Sequence, residues 1–217
     1  MRELVIVGAG GLGRVLKQYV DDVNRVSAQW HFLGFVDDAA EDVSLHQPGI
    51  PVLGSTEWLA SHLGIEVLIG VGQPTVRRDI MKRLLAAGSS NFAKLVHPKS
   101  YIPSSVRIGS GTIVYPGVCI DPYAGIGEFV ILGRNANIGH DTVLEDFVTV
   151  SPGCSIGGEV ILETGAFIGI GACTIQQVRV GKWSVVGAGS AVIGDVADGA
   201  TVVGVPARPI GKKNTPT

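Results

Sequence analysis

Aromatic and charged residues are scarce in this 217-residue chain, at 6% and 17%. The little charge there is nearly cancels, to a net −2 with a pI near 6.2. That excludes a nucleic-acid groove or a polybasic membrane surface, both of which need clustered Lys and Arg. Only three cysteines occur, Cys119, Cys154 and Cys173, with no CxxC pair and no metal-ligand spacing. They read as buried thiols filling core and corner space in a reducing cytosol. No run approaches the roughly 18 uninterrupted apolar residues of a membrane span. The apolar start from Leu4 is broken by glycines and then by Arg14 and Lys17, unlike a secretory signal. The expectation is a cytoplasmic chain with no nucleic-acid or membrane partner.

Glycine, in contrast, is abundant at 31 residues, about double its usual share. Its placement follows a repeat. Stepping by six from Ile102 meets Ile108, Val114, Ile120, Ile126, Leu132, Ile138, Leu144, Val150, Ile156, Leu162, Ile168, Thr174, Val180, Val186 and Val192, all aliphatic except Thr174. Two residues before most of these sits something small or β-branched, such as Ala136, Thr142 or Cys154. Glycine often follows, as at Gly109, Gly133, Gly139, Gly157, Gly169 and Gly187. A period of six is neither helical nor an ordinary strand alternation. It is the hexapeptide signature of a parallel β-helix, with one short strand and one corner per hexapeptide and 18 residues per triangular coil. The aliphatic residue points inward, and glycine and small residues are expected to let the chain turn sharply. Residues 102–192 then make about five coils, roughly 24 Å tall.

The first 97 residues lack this period. Glu3 to Gly8 reads as a buried strand, Gly11 to Val20 as a helix, Trp30 to Val36 as a second strand and Glu66 to Gly70 as a third. Pro51–Leu53 can add a short strand, and Arg77 to Ala87 reads as a helix. Strands alternating with helices make a small α/β Rossmann-like half-domain over residues 1–97, ahead of a β-helix domain over 98–217. Gly211 to Thr217 reads as a frayed tail.

Gly8-Ala-Gly10-Gly-Leu-Gly13 matches GxGxxG between a strand and a helix. Such a turn lets a backbone approach phosphates at a helix N-terminus. Asp37 or Asp38, at the end of the next strand, could hold a ribose hydroxyl or a base. A half-domain this short lacks the second mononucleotide half, so a mononucleotide or nucleotide-sugar fits better than a dinucleotide. The alternative is a tight turn beside a solvated acidic loop.

His140 is the only histidine in the repeats, on a corner two residues past Ile138. An imidazole there can serve as a general base. Asp141 could orient it, although adjacent residues often point apart. One coil of 18 residues beyond His140 lies Gly158, whose bare backbone leaves space for an acyl group and whose N–H could stabilise an oxyanion. A polar corner histidine without chemistry is the competing reading. His31, His46 and His62 have no such context, and His97 before Pro98 reads as part of an interdomain joint. Gln176-Gln177 interrupts the glycine-rich corners without an evident reason.

Together, Gly8–Gly13, Phe35-Val-Asp37-Asp38, the hexapeptide array with His140-Asp141 and the closing Val203-Gly-Val-Pro-Ala-Arg208 resemble the bacterial sugar O-/N-acetyltransferases. That group comprises sialic acid O-acetyltransferases and N-acetyltransferases of nucleotide-linked 4-amino-4,6-dideoxy sugars, as in bacillosamine and perosamine pathways. The resemblance implies a left-handed β-helix, a homotrimer, acetyl-CoA as co-substrate and a place in polysaccharide biosynthesis. It implies His140 as catalytic base, Asp141 as the acid beside it and Gly158 as the amide facing the thioester carbonyl. It further implies that Gly10, Gly11, Leu12, Gly13, Asp37 and Asp38 bind the nucleotide-sugar, and that Gly158, Ile170, Gly187 and Pro206 border acetyl-CoA. Many relatives carry a second histidine nine residues after the base, where this chain has Thr149.

The expected activity is N-acetylation of the 4-amino group of a nucleotide-linked 4-amino-4,6-dideoxyhexose, without a metal. Sugar O-acetylation of the sialic acid type is the alternative, distinguished by acceptor preference. A β-helical zinc lyase needs three histidine ligands, and the repeats offer only His140. A non-catalytic nucleotide sensor on a trimeric scaffold predicts nucleotide-sugar binding without CoA binding.

Overall fold

The computed structural model describes residues 1–39 and 50–211 in two compact units, 1–98 with 110–113, and 99–109 with 114 onward. His46 and all but the first residue of the expected tail lie outside the described residues.

In the first unit, strands β1 (Arg2–Val7), β2 (Trp30–Val36) and β3 (Glu66–Ile69) form a parallel sheet in the order β2-β1-β3. Leu4, Val5, Ile6 and Val7 are all buried, as expected of a central strand covered on both faces. Helix α1 (Gly11–Val26) runs six residues beyond the expected end and buries Gly13, Leu16, Tyr19, Val20 and Val23, one apolar stripe. Helix α2 (Pro74–Ala86) starts three residues earlier than the apolar pattern suggests, with Pro74 in its first turn. The fixed φ of proline suits that position, where its missing N–H costs nothing. Pro51–Leu53 forms only an isolated bridge from Val52 to Phe35. A 3-10 turn, Thr56–Ser61, unmarked by any apolar period, follows an N-cap at Ser55.

The second unit is a parallel β-solenoid of about six turns. Two-residue strands recur every six residues on three faces. The first face carries Cys119–Ile120, Asn137–Ile138, Ser155–Ile156, Cys173–Thr174 and Ala191–Val192; the second runs from Arg107–Ile108 to Arg179–Val180. The third includes Ile131–Leu132, Thr149–Val150, Phe167–Ile168 and Val185–Val186, and is continued by Thr201–Val203 beyond the last hexapeptide. The second residue of each strand faces the core, so Ile120, Ile138, Leu144, Val150, Leu162 and Ile168 are buried.

Glycine and the turns divide their work differently from expectation. From Gly117 to Gly189 every sixth residue has φ between +54° and +74°, and eight of these are not glycine: Tyr123, Phe129, Asn135, Asp141, Phe147, Glu159, Gln177 and Trp183. The glycine that follows the inward aliphatic residue has ordinary φ and serves coil-to-coil stacking instead. A Cβ on Gly169 would sit 2.6 Å from the Ala188 backbone nitrogen, and one on Gly133 equally close to that of Pro152.

The same alternation corrects the reading of the cysteines. Cys154 sits two positions before the inward Ile156 and is buried, with Sγ donating to the Gly169 carbonyl at 3.1 Å. Burial pushes its thiol pKa up. Cys119 and Cys173 directly precede the inward residues and therefore face out, half-buried and exposed.

Candidate active site

His140 stands at the corner between Asn137–Ile138 and Val143–Leu144. The corner places Asp141 in the left-handed region at φ 55°, which an aspartate tolerates better than most residues. The imidazole and carboxylate do not point apart: Nδ1 lies 2.9 Å from Asp141 Oδ2. A carboxylate accepting from Nδ1–H leaves Nε2 with its lone pair, the form a base requires. Both side chains are more than half exposed. The Asp141 hydrogen bond raises the imidazole pKa, desolvation opposes it, and the charges of Asp141, Glu159 and Asp121 add to the rise; the net pKa lies above the ordinary 6.5.

Gly158 lies against this ring. A Cβ there would be 2.6 Å from His140 Nε2, so only glycine admits the imidazole in this position. The Gly158 N–H finds no acceptor among the described residues. Its neighbour Glu159 donates its own N–H to the His140 carbonyl at 2.8 Å. One coil further, Gln177 Nε2 donates to Glu159 Oε2 at 3.1 Å, which gives half of the unexplained Gln176-Gln177 pair a contact.

The other positions stand elsewhere on the solenoid. Thr149 is buried in the third face. Ile170, exposed, and Gly187 belong to the corner joining the third face to the first, not to the His140 corner. Pro206 follows a cis peptide after Val205 and is exposed. A cleft of about 450 Å³ at that end is lined by Ile193, Asp195, Ala207 and Arg208 among others.

In the first unit the glycine-rich turn joins β1 to α1. A Cβ on Gly13 would collide with the Gly8 carbonyl oxygen, so glycine allows the helix to close onto the strand. The N–H groups of the first turn of α1 have no intrahelical acceptor, and there is open space around Gly10 and Gly11. Asp37 staples this turn: Oδ2 accepts from the Ala9 N–H at 2.9 Å and Oδ1 from the Ala39 N–H at 3.0 Å. Asp38 lines a separate cleft of about 530 Å³ with Ser55, Thr56, Glu57 and Arg83. Its Oδ1 accepts from Thr56 N and Oγ1, and its Oδ2 from Arg83 Nη2 at 2.8 Å. Partial burial pushes this carboxyl up, but the bonds from Thr56 and Arg83 prevail and hold it below its ordinary pKa.

Sequence reasoning missed Thr56, Arg83 and Arg77. The Arg77 side chain is fully buried, and Nη1 donates to the carbonyls of Val71 and Gly72, fixing the β3–α2 loop. That loop and the glycine-rich turn both follow the C-terminal ends of adjacent parallel strands, where open α/β sheets bind ligands. His97, within the first unit, is buried with Nε2 3.2 Å from Asp22 Oδ2 and its ring edge-on to Tyr19. His62 stacks on Trp58, and His31 is exposed on β2. Among the described residues no group of three or more His, Cys, Asp or Glu is arranged to hold a metal, and no helix is long and apolar enough to cross a membrane.

Residues 3–84 match the family described as the PglD N-terminal domain. A UDP-N-acetylbacillosamine N-acetyltransferase of Bacillus subtilis is 33% identical over 116 residues, 52% of this chain and 51% of that one. The chain thus matches about half the length of that curated relative. Across nearly the whole length of both chains, it resembles the acetyltransferase domain of PglB from Neisseria gonorrhoeae in complex with acetyl coenzyme A. There the identity is 31%, the TM-score 0.85, and the coverage 96% of this chain and 99% of that one. PerB from Caulobacter crescentus, in complex with CoA and GDP-perosamine, matches at 27% identity and TM-score 0.87, covering 97% and 98%.

Proposed function

The chain belongs to the sugar N-acetyltransferase family, and we propose that it acetylates the 4-amino group of a nucleotide-linked 4-amino-4,6-dideoxyhexose from acetyl-CoA. The observation that carries this reading is the His140 ring, tied through Nδ1 to Asp141 and seated against Gly158. The neutral amine attacks the thioester carbonyl carbon, and the C–N bond forms as electrons move onto oxygen. The Gly158 N–H steadies that oxyanion. His140 Nε2 takes the proton as nitrogen becomes cationic. The tetrahedral species then collapses with cleavage of the C–S bond, and the imidazolium returns its proton to the departing sulfur. Direct attack suffices because, among the described residues, no Ser or Cys hydrogen-bonds the His140 ring; Ser61 meets His62 in the first unit, and Cys154 is buried with a raised pKa.

The first unit takes the nucleotide. The free N–H groups at the start of α1 suit its phosphates, and the cleft of Asp38, Thr56 and Arg83 suits its polar base or ribose. The names of the relatives support an amine acceptor and CoA. Ile170, Gly187 and Pro206 would border CoA at the far corner, in the groove between neighbouring solenoids of a cytoplasmic homotrimer. Thr149 cannot relay a proton as a histidine does, which leaves His140 as the one base.

The test is thiol release from acetyl-CoA with a panel of nucleotide-linked 4-amino-4,6-dideoxyhexoses, for the wild type and His140→Ala. Release with one sugar, reduced by roughly 10²–10⁴-fold in the variant, is the expected result. CoA binding without release to any amine points to O-acetylation, and no CoA binding at all ends the acetyltransferase reading.

A further inference from the structure

Thr174 is the one inward position of the repeat that is not aliphatic, and its hydroxyl has a partner. Gly157 N–H donates to Thr174 Oγ1 at 3.0 Å. At the equivalent points of neighbouring coils the N–H donates to a backbone carbonyl instead: Asp121 to Ile138, Gly139 to Ile156 and Ile175 to Val192, at 2.9–3.0 Å. The ladder is correspondingly irregular here. Ser155 pairs with Cys173, but no pairing of Ile156 with Thr174 follows, whereas the coil below pairs both Asn137 with Ser155 and Ile138 with Ile156. On the other side of the same residue, fully buried Thr142 donates from Oγ1 to the Gly157 carbonyl at 3.0 Å. Gly157 is therefore gripped at both its N–H and its C=O by buried hydroxyls, in the coil that lies against His140.

The next link is covalent. The Gly157 carbonyl and the Gly158 N–H belong to one planar trans peptide and point in opposite directions. Fixing the carbonyl on Thr142 fixes the direction of the Gly158 N–H. Glycine at both 157 and 158 would otherwise leave this peptide freer than any other pair in the coil.

We propose that Thr142 and Thr174 are positioning residues that preorganise the Gly158 N–H as an oxyanion donor beside His140. This rests on the acetyl-transfer reading above. A donor fixed before the reaction needs no reorientation as negative charge develops, so its contribution falls on the transition state rather than on substrate binding. It also explains why the inward row of the repeat, aliphatic at its other positions, carries a hydroxyl at one rung, the rung facing the candidate base's coil.

The experiment uses Thr142→Val, Thr174→Val and the two Ser counterparts. The repeat itself supplies Val at the equivalent positions, Val148 and Val160 for residue 142, Val180 and Val192 for residue 174, so the Val variants keep the core filled. Each Val variant should lower kcat roughly ten- to a hundredfold, with both KM values within about twofold. Each Ser variant should recover most of that loss. Without any substrate, the Gly157 and Gly158 amide resonances should move in the Val variants and return in the Ser variants. Wild-type kcat in both Val variants, or unmoved resonances, overturns the proposal while leaving acetyl transfer intact. A wild type that neither binds CoA nor transfers acetyl to any amine or hydroxyl acceptor brings down the acetyl-transfer reading, and the positioning role with it.

Discussion

The His140 imidazole and the Gly158 backbone occupy one small space: a Cβ on residue 158 would fall 2.6 Å from Nε2. Gly158 does not have the left-handed φ that only glycine favours, so alanine is acceptable to the backbone and unacceptable to the ring. Gly158→Ala should therefore leave the melting temperature within about 2 °C of wild type. It should push the imidazole off its Asp141 partner and lower kcat/KM by roughly 10²-fold. Thermal unfolding and thiol release from acetyl-CoA measure the two effects separately; equal activity in both proteins would refute the seating of the base against this glycine.

The pH dependence follows from the groups around His140. The base acts neutral, so kcat/KM rises with pH through the His140 pKa, which the Asp141 bond and the charges of Asp141, Glu159 and Asp121 place above 6.5. Asp141→Asn removes the largest cause of the rise, so the acidic limb should move to lower pH. Glu159→Gln removes a single charge at longer range and should move it less, in the same direction. Imidazole titration by NMR gives the same shifts without turnover. A limb unmoved by both changes means that another group titrates.

The six-residue period made the solenoid legible because every coil repeats one demand, an inward aliphatic residue at a fixed place. The corners were less legible. Their left-handed residue recurs with the same period, yet Tyr123, Phe147 and Trp183 fill it as readily as Gly153 or Gly171. The visible glycines mark stacking clearance instead. His140 and Gly158 could be matched by adding 18, and their contact rests on that register. Asp38 and Arg83 lie 45 residues apart on separate elements, and no local pattern announces such a pair. Thr174 was visible only as an exception, and its meaning depends on the carbonyl it replaces.

Asp38 provides a test of the first unit. Asp38→Asn keeps the size of the side chain but removes the charge that faces Arg83. KM for the nucleotide-linked sugar should rise roughly five- to tenfold, while KM for acetyl-CoA stays put. The folded pKa lies below the ordinary 3.8, so the carboxylate contributes stability above that value and loses it as pH falls through the folded pKa. The pair is half exposed, which keeps this contribution small. The difference in melting temperature between wild type and variant should shrink below pH 3.8. A rise in both KM values would mean that the change disturbs more than the nucleotide cleft.

Two corner substitutions separate the roles of glycine. At Gly169 a Cβ would meet the Ala188 backbone nitrogen at 2.6 Å, and backbone in a stacked coil has little freedom to retreat. Gly169→Ala should cost about 1–3 kcal/mol and lower the melting temperature by about 3–10 °C. Gln177 is the opposite case, a side chain held at φ 61° at the turn position six residues after Gly171. Gln177→Gly relieves roughly 1 kcal/mol of left-handed strain and adds about 0.5–1 kcal/mol of unfolded-state entropy, leaving the melting temperature nearly unchanged. If glycine served the turn rather than the stacking, the order would reverse. Calorimetry on both variants decides, because a tolerated alanine at 169 would require the coils to stack further apart than they do.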